Sequence, residues 1–421
     1  MPTVKARERE TVGTDKSVRK IIEAERKRQF EGLEMIASEN YTSAEVLNAC
    51  GSVLTNKYAE GFPGHRYYGG CQEIDRAETL AIERLKKLFN CKFANVQPHC
   101  GSAANMATYF ALINLGDKIL GQSMDSGGHL THGSPASFSG KIYDAYSYGI
   151  NRKTELLEYE EIRQIAKKVK PKLIMCGYSA YSRTINFRKF RQIADEVGAY
   201  LVADIAHIAG LIAAGFHPSP VGVAHVVTST THKTLRGPRG GIIMTNDEEI
   251  ATRINKAIFP GLQGGPSEHI IAAKAVAFGE ALKPSFKSYV KRLLDNMKVF
   301  AEELEARGFR LVSGGTDNHL VLIDLRNLNL TGVQFETALA DAGISVNKNA
   351  IPDESLPLVI TSGVRVGVAA LTTRGMGKRE MKKIAQIFEQ VAKNPNNKSQ
   401  LKGIKEEVRK MAIKFPVPGI N

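Results

Sequence analysis

The 421-residue chain contains no tryptophan, no C-x-x-C pair, no Walker loop and no G-x-G-x-x-G dinucleotide fingerprint. Each absence removes a class of protein. The five cysteines (Cys50, Cys71, Cys91, Cys100, Cys176) are odd in number and scattered, which argues against a disulfide framework or a zinc site and suits a reducing cytosol. No stretch carries the roughly 18 apolar residues of a spanning helix. Residues 1–30 mix Arg and Lys with Glu instead of presenting the apolar core of a signal peptide. Internal repeats and low-complexity tracts are missing as well. A soluble, cytoplasmic, globular protein with no membrane partner is expected.

What is present is a composition of 43% hydrophobic and 24% charged residues, enough for a sizeable core and two domains. The formal charge of +14 attracts anions in general: nucleic acid, a phosphorylated cofactor or a polyanionic substrate tail. No block of Lys and Arg is interleaved with aromatics, so nucleic acid is not expected as the main partner. Short apolar runs at 93–97, 118–121, 172–177, 199–204, 224–229 and 241–244 alternate with helical periodicity at 74–90, 102–115, 156–169 and 188–197. That alternation predicts an α/β fold with a mainly parallel sheet. Two helices, 267–282 and 285–306, are expected to hinge at Pro284. After them a strand at 320–325 and helices at 378–393 and 400–411 predict a smaller C-terminal α+β domain. The expected division is an N-terminal arm and helix (1–40), a large domain (41–283) and a small domain (284–421).

Several residues could carry chemistry. Lys233 follows the β-branched run ending in Thr230, Thr231 and His232, where hydroxyls could satisfy a phosphate and desolvation would ease loss of a lysine proton. A solvated lysine after a strand fits the same residues. Asp204 closes an apolar run, at the strand end that faces the ligand crevice of open α/β sheets. It could pair with a protonated pyridine nitrogen, cap a helix, or ligate a metal together with His207. His129 and His132, in a Gly-rich loop, could stack on a ring, act as acid or base, hold a metal, or be satisfied locally. Gly101 and Ser102 open a helix directly after a strand, a natural anion cradle. Tyr58, Glu60, Tyr67 and Tyr68 crowd a loop, and Arg365 is a lone cation in an apolar stretch that needs either a substrate carboxylate or an internal acid.

Seven segments together carry a resemblance: 33–42 (LEMIASENYT), 56–71 (NKYAEGFPGHRYYGGC), 127–135 (GGHLTHGSP), 203–210 (ADIAHIAG), 230–241 (TTHKTLRGPRGG), 259–266 (FPGLQGGP) and 346–352 (VNKNAIP). From about residue 28 to residue 375 the chain resembles the serine hydroxymethyltransferase family, pyridoxal 5′-phosphate enzymes of the aspartate aminotransferase fold, fold type I. The resemblance implies that Lys233 holds the cofactor as a Schiff base, Asp204 pairs with its ring nitrogen and His129 stacks on the ring. It puts Ser179 and His207 near the phenolic oxygen. Gly101, Ser102, Thr230 and His232 would hold the phosphate, with Tyr58, Gly264 and Gly265 from a second subunit of a homodimer. Arg365, Ser38 and Tyr68 would bind the amino acid, L-serine or glycine. Glu60, also from the second subunit, would transfer a proton at the hydroxymethyl group, and Asn349, Leu130 and Gly128 would contact tetrahydrofolate. No metal is implied. The implied catalytic set is Lys233, Glu60, Tyr68 and His129.

Three positions depart from the family's pattern. Gly367 is followed by Val368, Ala369 and Ala370 where Thr-Pro-Ala is usual, which frees a backbone angle and restores an N–H. Cys100 stands for a serine, and Met124 for a leucine that would touch the pterin. A folate-independent β-hydroxy-amino-acid aldolase would share every cofactor residue; Asn349 and its loop argue against it.

Overall fold

Strands that are apolar on both faces need cover on both faces, and here helices supply it. The computed structural model describes residues 15–420. Its larger sheet has seven strands: β1 (Phe93–Asn95), β2 (Lys118–Gln122), β3 (Asp144–Tyr148), β4 (Leu173–Gly177), β5 (Tyr200–Asp204), β6 (Val226–Thr230) and β7 (Gly241–Thr245). Their spatial order is β1-β7-β6-β5-β4-β2-β3. β7 is antiparallel to both neighbours and every other pairing is parallel, so the mainly parallel α/β expectation holds. β4, β6 and β7 are buried at every residue. β3 was not foreseen: it is an edge strand with only Tyr148 buried, so it carries no apolar run to read.

The helices that matter here are α1 (Lys16–Glu31), α2 (Gln72–Phe89), α3 (Gly101–Leu112), α4 (Tyr159–Val169), α5 (Phe187–Val197), α6 (Glu268–Ala281), α7 (Pro284–Ala306), α8 (Gly332–Asp341), α9 (Lys378–Lys393) and α10 (Lys398–Ala412). α5 shows why such segments are helical. Phe187, Phe190, Ile193 and Ala194 form one buried face, Asn186 caps the N-terminus by accepting from Lys189 N, and Gly198 closes the other end in the left-handed region. Pro284 does not sit within a helix. It begins α7, where its missing N–H is no loss, and the break falls just before it.

A second sheet, wholly antiparallel, has the order β8 (Arg310–Leu311), β9 (Leu320–Asp324), β11 (Gly363–Gly367), β10 (Asn347–Asn349). Behind it Phe300 of α7, Phe335 of α8 and Phe388 of α9 meet edge to face, with Phe388 5.4 Å from Phe300 and 5.7 Å from Phe335. Leu33–Glu34 pairs in parallel with Ile344–Ser345, so the chain enters the structure beside the C-terminal elements. α1 buries none of its residues; its end is held by Arg374, which donates to the carbonyls of Gln29, Phe30 and Gly32. Of the expected arm at 1–40, residues 1–14 lie outside the described residues. Among the described residues no helix is long and apolar enough to cross a membrane.

Candidate active site

The carboxyl ends of β4, β5 and β6 open into a cavity of about 380 Å³ lined by Lys233, Asp204, His129, His207, Ser179 and Arg365, among others. The register puts Gly177, Asp204 and Thr228 side by side on the three strands. A larger groove of about 960 Å³ between α9 and α10 is lined mostly by Lys and Glu side chains with no convergence of buried groups, so the chemistry belongs to the smaller cavity.

Lys233 is buried, which removes the reading of it as a solvated surface lysine. Burial, reinforced by the charges of Arg365 and Arg239 and opposed by Asp204, brings its amine down to about 8. Asp204 accepts from Ala206 N at 3.0 Å and Asn105 Nδ2 at 2.9 Å, and its Oδ2 lies 3.2 Å from His132 Nε2. Burial alone would raise its pKa, but the hydrogen bond and charge of His132, with Asn105, hold it well below the usual carboxylate range. His129 is held neutral: burial first, then the charge of His132, lowers it to about 4, and Thr131 N donates to its Nδ1. His207 is driven well down by burial and neighbouring cations, and stacks on His319 with centroids 5.5 Å apart.

Sequence spacing paired Asp204 with His207 as possible metal ligands; the fold does not. His207 turns to His319, and the donor atoms that gather within 4.8 Å are those of His129, His132 and Asp204. Arg365, on β11, reaches the cavity from the second sheet. It donates to Ser179 O at 2.7 Å, Asn347 Oδ1 at 3.2 Å and Ser38 Oγ at 3.5 Å, all neutral, and has no carboxylate partner among the described residues. Burial lowers it to about 10. The internal acid that could have balanced it is therefore absent from its contacts.

The phosphate end also fits its expected ligand. Thr230 Oγ1 and His232 Nδ1 are buried without partners among the described residues, beside the N-terminus of α3. Gly101 leaves no space to spare, since a Cβ there would come within 2.6 Å of Thr230 Cγ2. Cys100 does the capping work of a serine: its Sγ accepts from Ala103 N. At the altered loop, Val368 N donates to His319 O and Ala369 begins a short helix, Ala369–Thr373.

A second group stays apart within one chain. Tyr58 donates to Glu60 Oε1 at 3.1 Å and packs on Tyr68 at 5.1 Å, with Gly264 and Gly265 against Glu60 and Tyr58. None of these lines the Lys233 cavity, and Tyr58 and Tyr68 are exposed. Gly128, Leu130 and Asn349 also lie outside its lining. Sequence reasoning missed Asn105, Arg239, Asn347 and His319. Signals existed for three of them: Arg239 and Asn347 stand inside the segments 230–241 and 346–352, and Asn105 is a polar residue within the largely apolar α3.

A buried lysine on a mainly parallel α/β sheet, sharing its cavity with an ionised aspartate and with a helix N-terminus beside the unpartnered Thr230 and His232 atoms, defines a pyridoxal 5′-phosphate enzyme of fold type I. The family model for serine hydroxymethyltransferase matches residues 11–388. A curated serine hydroxymethyltransferase from Rickettsia akari (strain Hartford) is 55% identical over 408 residues, covering 96% of this chain and 97% of that protein. The chain belongs to the serine hydroxymethyltransferase family. Enzymes of this family use pyridoxal 5′-phosphate to move the hydroxymethyl carbon of L-serine reversibly to tetrahydrofolate, giving glycine and 5,10-methylenetetrahydrofolate.

Proposed function

We infer that in this chain that transfer takes place in the Lys233 cavity, with the residues acting as follows. Bound pyridoxal 5′-phosphate supplies the electron sink for the substrate α-carbon. Lys233 attaches it: burial keeps a useful fraction of its amine neutral and nucleophilic near physiological pH. Asp204, held ionised by His132 and Asn105, stabilises a proton on the ring nitrogen. His129, held neutral, offers a flat ring face, and Ser179 and His207 serve the phenolic oxygen. Gly101, Ser102, Thr230 and His232 receive the phosphate. Arg365, with Ser38 beside it, takes the substrate carboxylate.

The protein works as a homodimer in which Tyr58, Glu60, Tyr68, Gly264 and Gly265 of each subunit complete the other's site. The exposure of the tyrosines and their separation from Lys233 within one chain support this. Glu60 moves the proton of the hydroxymethyl group, and Gly128, Leu130 and Asn349 border the pterin. We place the cofactor-binding domain at 41–283 and the small domain at 284–421. Five unpaired cysteines suit a cytoplasmic compartment.

The observation that carries this reading is Arg365, buried, charged and without an acid, across the cavity from Lys233 and Asp204. Serine cleavage by the purified protein, followed as glycine, tests it. Cleavage should depend on tetrahydrofolate, and an undiminished rate without any pterin would turn the assignment toward an aldolase. Lys233→Ala should lose the visible band of the bound cofactor, and an unchanged spectrum would sink the role given to the lysine.

A further inference from the structure

A buried lysine that the reaction leaves unused lies beneath the phosphate end of the cavity. Lys274, on α6, is 1% exposed, and its Nζ donates to the backbone oxygens of Val96 at 2.6 Å, Gly241 at 2.9 Å and Pro98 at 3.1 Å. Three acceptors match the three N–H bonds of an ammonium, whereas a neutral amine has only two to give. Burial pulls this amine down to about 7, and the carboxylates of Glu78 and Glu268 oppose the shift. The site is also built around the side chain. A Cβ on Gly240 would lie 2.4 Å from Lys274 Cε, so only glycine leaves room for it.

The three carbonyls border the segment that leads into the expected phosphate ligands. β1 ends at Asn95, and residues 96–100 carry the chain to the N-terminus of α3 at Gly101 and Ser102. Gln263 grips the other side of this segment: its Oε1 accepts from His99 N at 3.0 Å and its Nε2 donates to Gln97 O at 3.0 Å. Gly241 N donates to Pro98 O at 3.0 Å, tying the start of β7 to the same turn. Four successive residues, 96 to 99, are thus fixed by two side chains from the segment 263–274. An unbraced loop would have to be ordered at the moment a ligand binds, at a cost in affinity.

We propose that Lys274 is a positioning residue for the cofactor phosphate. By gathering the oxygens of Val96, Pro98 and Gly241 it holds the 96–100 turn so that the amides of Gly101 and Ser102 are presented to the cavity before the phosphate arrives. The inference rests on the reading of Gly101 and Ser102 as phosphate ligands. Glu78, which neutralises part of the lysine's charge, also accepts from Gln97 Nε2 at 2.8 Å and from Arg66 at 2.6 Å, so the brace is continuous with the short hairpin of Gly61–Phe62 and His65–Arg66 that follows Glu60.

The test compares pyridoxal 5′-phosphate with pyridoxal, which lacks the phosphate, on the cofactor-free full chain in phosphate-free buffer. Lys274→Met fills the same space and offers no N–H. The dissociation constant for pyridoxal 5′-phosphate should rise about tenfold or more, because several carbonyls lose their donor, while that for pyridoxal stays within about twofold. An equal rise for both ligands, or no rise for either, overturns the proposal. Should the Met variant not fold, Gly240→Ala presses on Lys274 Cε while keeping its charge, and is judged by the same ratio; failure of both variants to fold marks Lys274 as a folding residue only and overturns the proposal too. Ser102→Pro, in the first turn of α3 where a missing N–H is tolerated, removes the amide itself and separates this inference from the reading beneath it. If it lowers the preference for the phosphorylated ligand while Lys274→Met does not, the role of Lys274 falls alone; if it changes nothing, the phosphate site is misplaced.

Discussion

Lys233 and Lys274 are both buried lysines, yet the groups around their amines assign them different work. Lys274 Nζ has three carbonyl acceptors, whereas Lys233 has the opposed charges of Asp204 and Arg365 around it and a cavity in front of it. The lowered pKa of Lys233 has a kinetic consequence whose sign is fixed. Attachment needs the neutral amine, so capture of pyridoxal 5′-phosphate by the cofactor-free protein should accelerate as pH rises through about 8 and then level. A lysine with an ordinary pKa would go on accelerating to about pH 10, and rapid-mixing rates across that range distinguish the two. Asp204→Asn keeps the shape and removes the charge opposite the ring nitrogen. Turnover should fall about 10²-fold or more while the cofactor stays bound, measured as kcat beside the visible spectrum. The segment around Lys233 taken alone fitted a solvated surface lysine, and only the other family motifs pointed to a cofactor lysine. Its burial was not legible there, because the groups that enclose it come from Asn40, which donates to Lys233 O, and from Arg365, far away along the chain.

At the scale of elements, the ends of two strands, one helix and the His129 loop are locked by a single polar network. Asn105 of α3 donates to Thr131 Oγ1 at 2.8 Å and to Asp204 at 2.9 Å, and accepts from Thr228 Oγ1 of β6 at 2.6 Å. Asn105→Ala would leave buried partners on β5, on β6 and in the His129 loop short of a hydrogen bond. Each such group costs about 1–3 kcal/mol, so a loss at the upper end of that range is expected in equilibrium denaturation; a loss below ~0.5 kcal/mol would contradict the network. Strands with continuous β-branched or aliphatic runs, such as β4 and β6, could be read from the sequence because nothing but burial explains such runs. β3, β10 and α8 could not be read in this way. β3 and β10 carry polar residues and owe their form to a neighbouring strand, β2 or β11, while α8 is held by packing against α9, α10 and β10.

The whole molecule divides its chemistry unevenly between what one chain completes and what it does not. Lys233, Asp204 and Arg365 converge within a single chain, with Arg365 brought in by the small antiparallel sheet, so one copy supplies these three groups of its cavity. Glu60 and Tyr58 sit in a separate cluster with Gly264 and Gly265. The resemblance in sequence assigns Tyr58, Glu60, Gly264 and Gly265 to the partner subunit, an assignment that composition and spacing alone could not make because it depends on how two surfaces meet. Mixed dimers decide it. Lys233→Ala and Glu60→Gln should each be nearly inactive alone. If Glu60 serves the partner's Lys233, unfolding and refolding the two together at equal amounts makes half of the dimers mixed, each with one wholly native site, so activity should return to about a quarter of wild type. If each chain used its own Glu60, every site in every mixed dimer would carry one substitution and no activity would return. The readout is tetrahydrofolate-dependent glycine formation before and after mixing, with size measured in parallel to confirm that dimers exist.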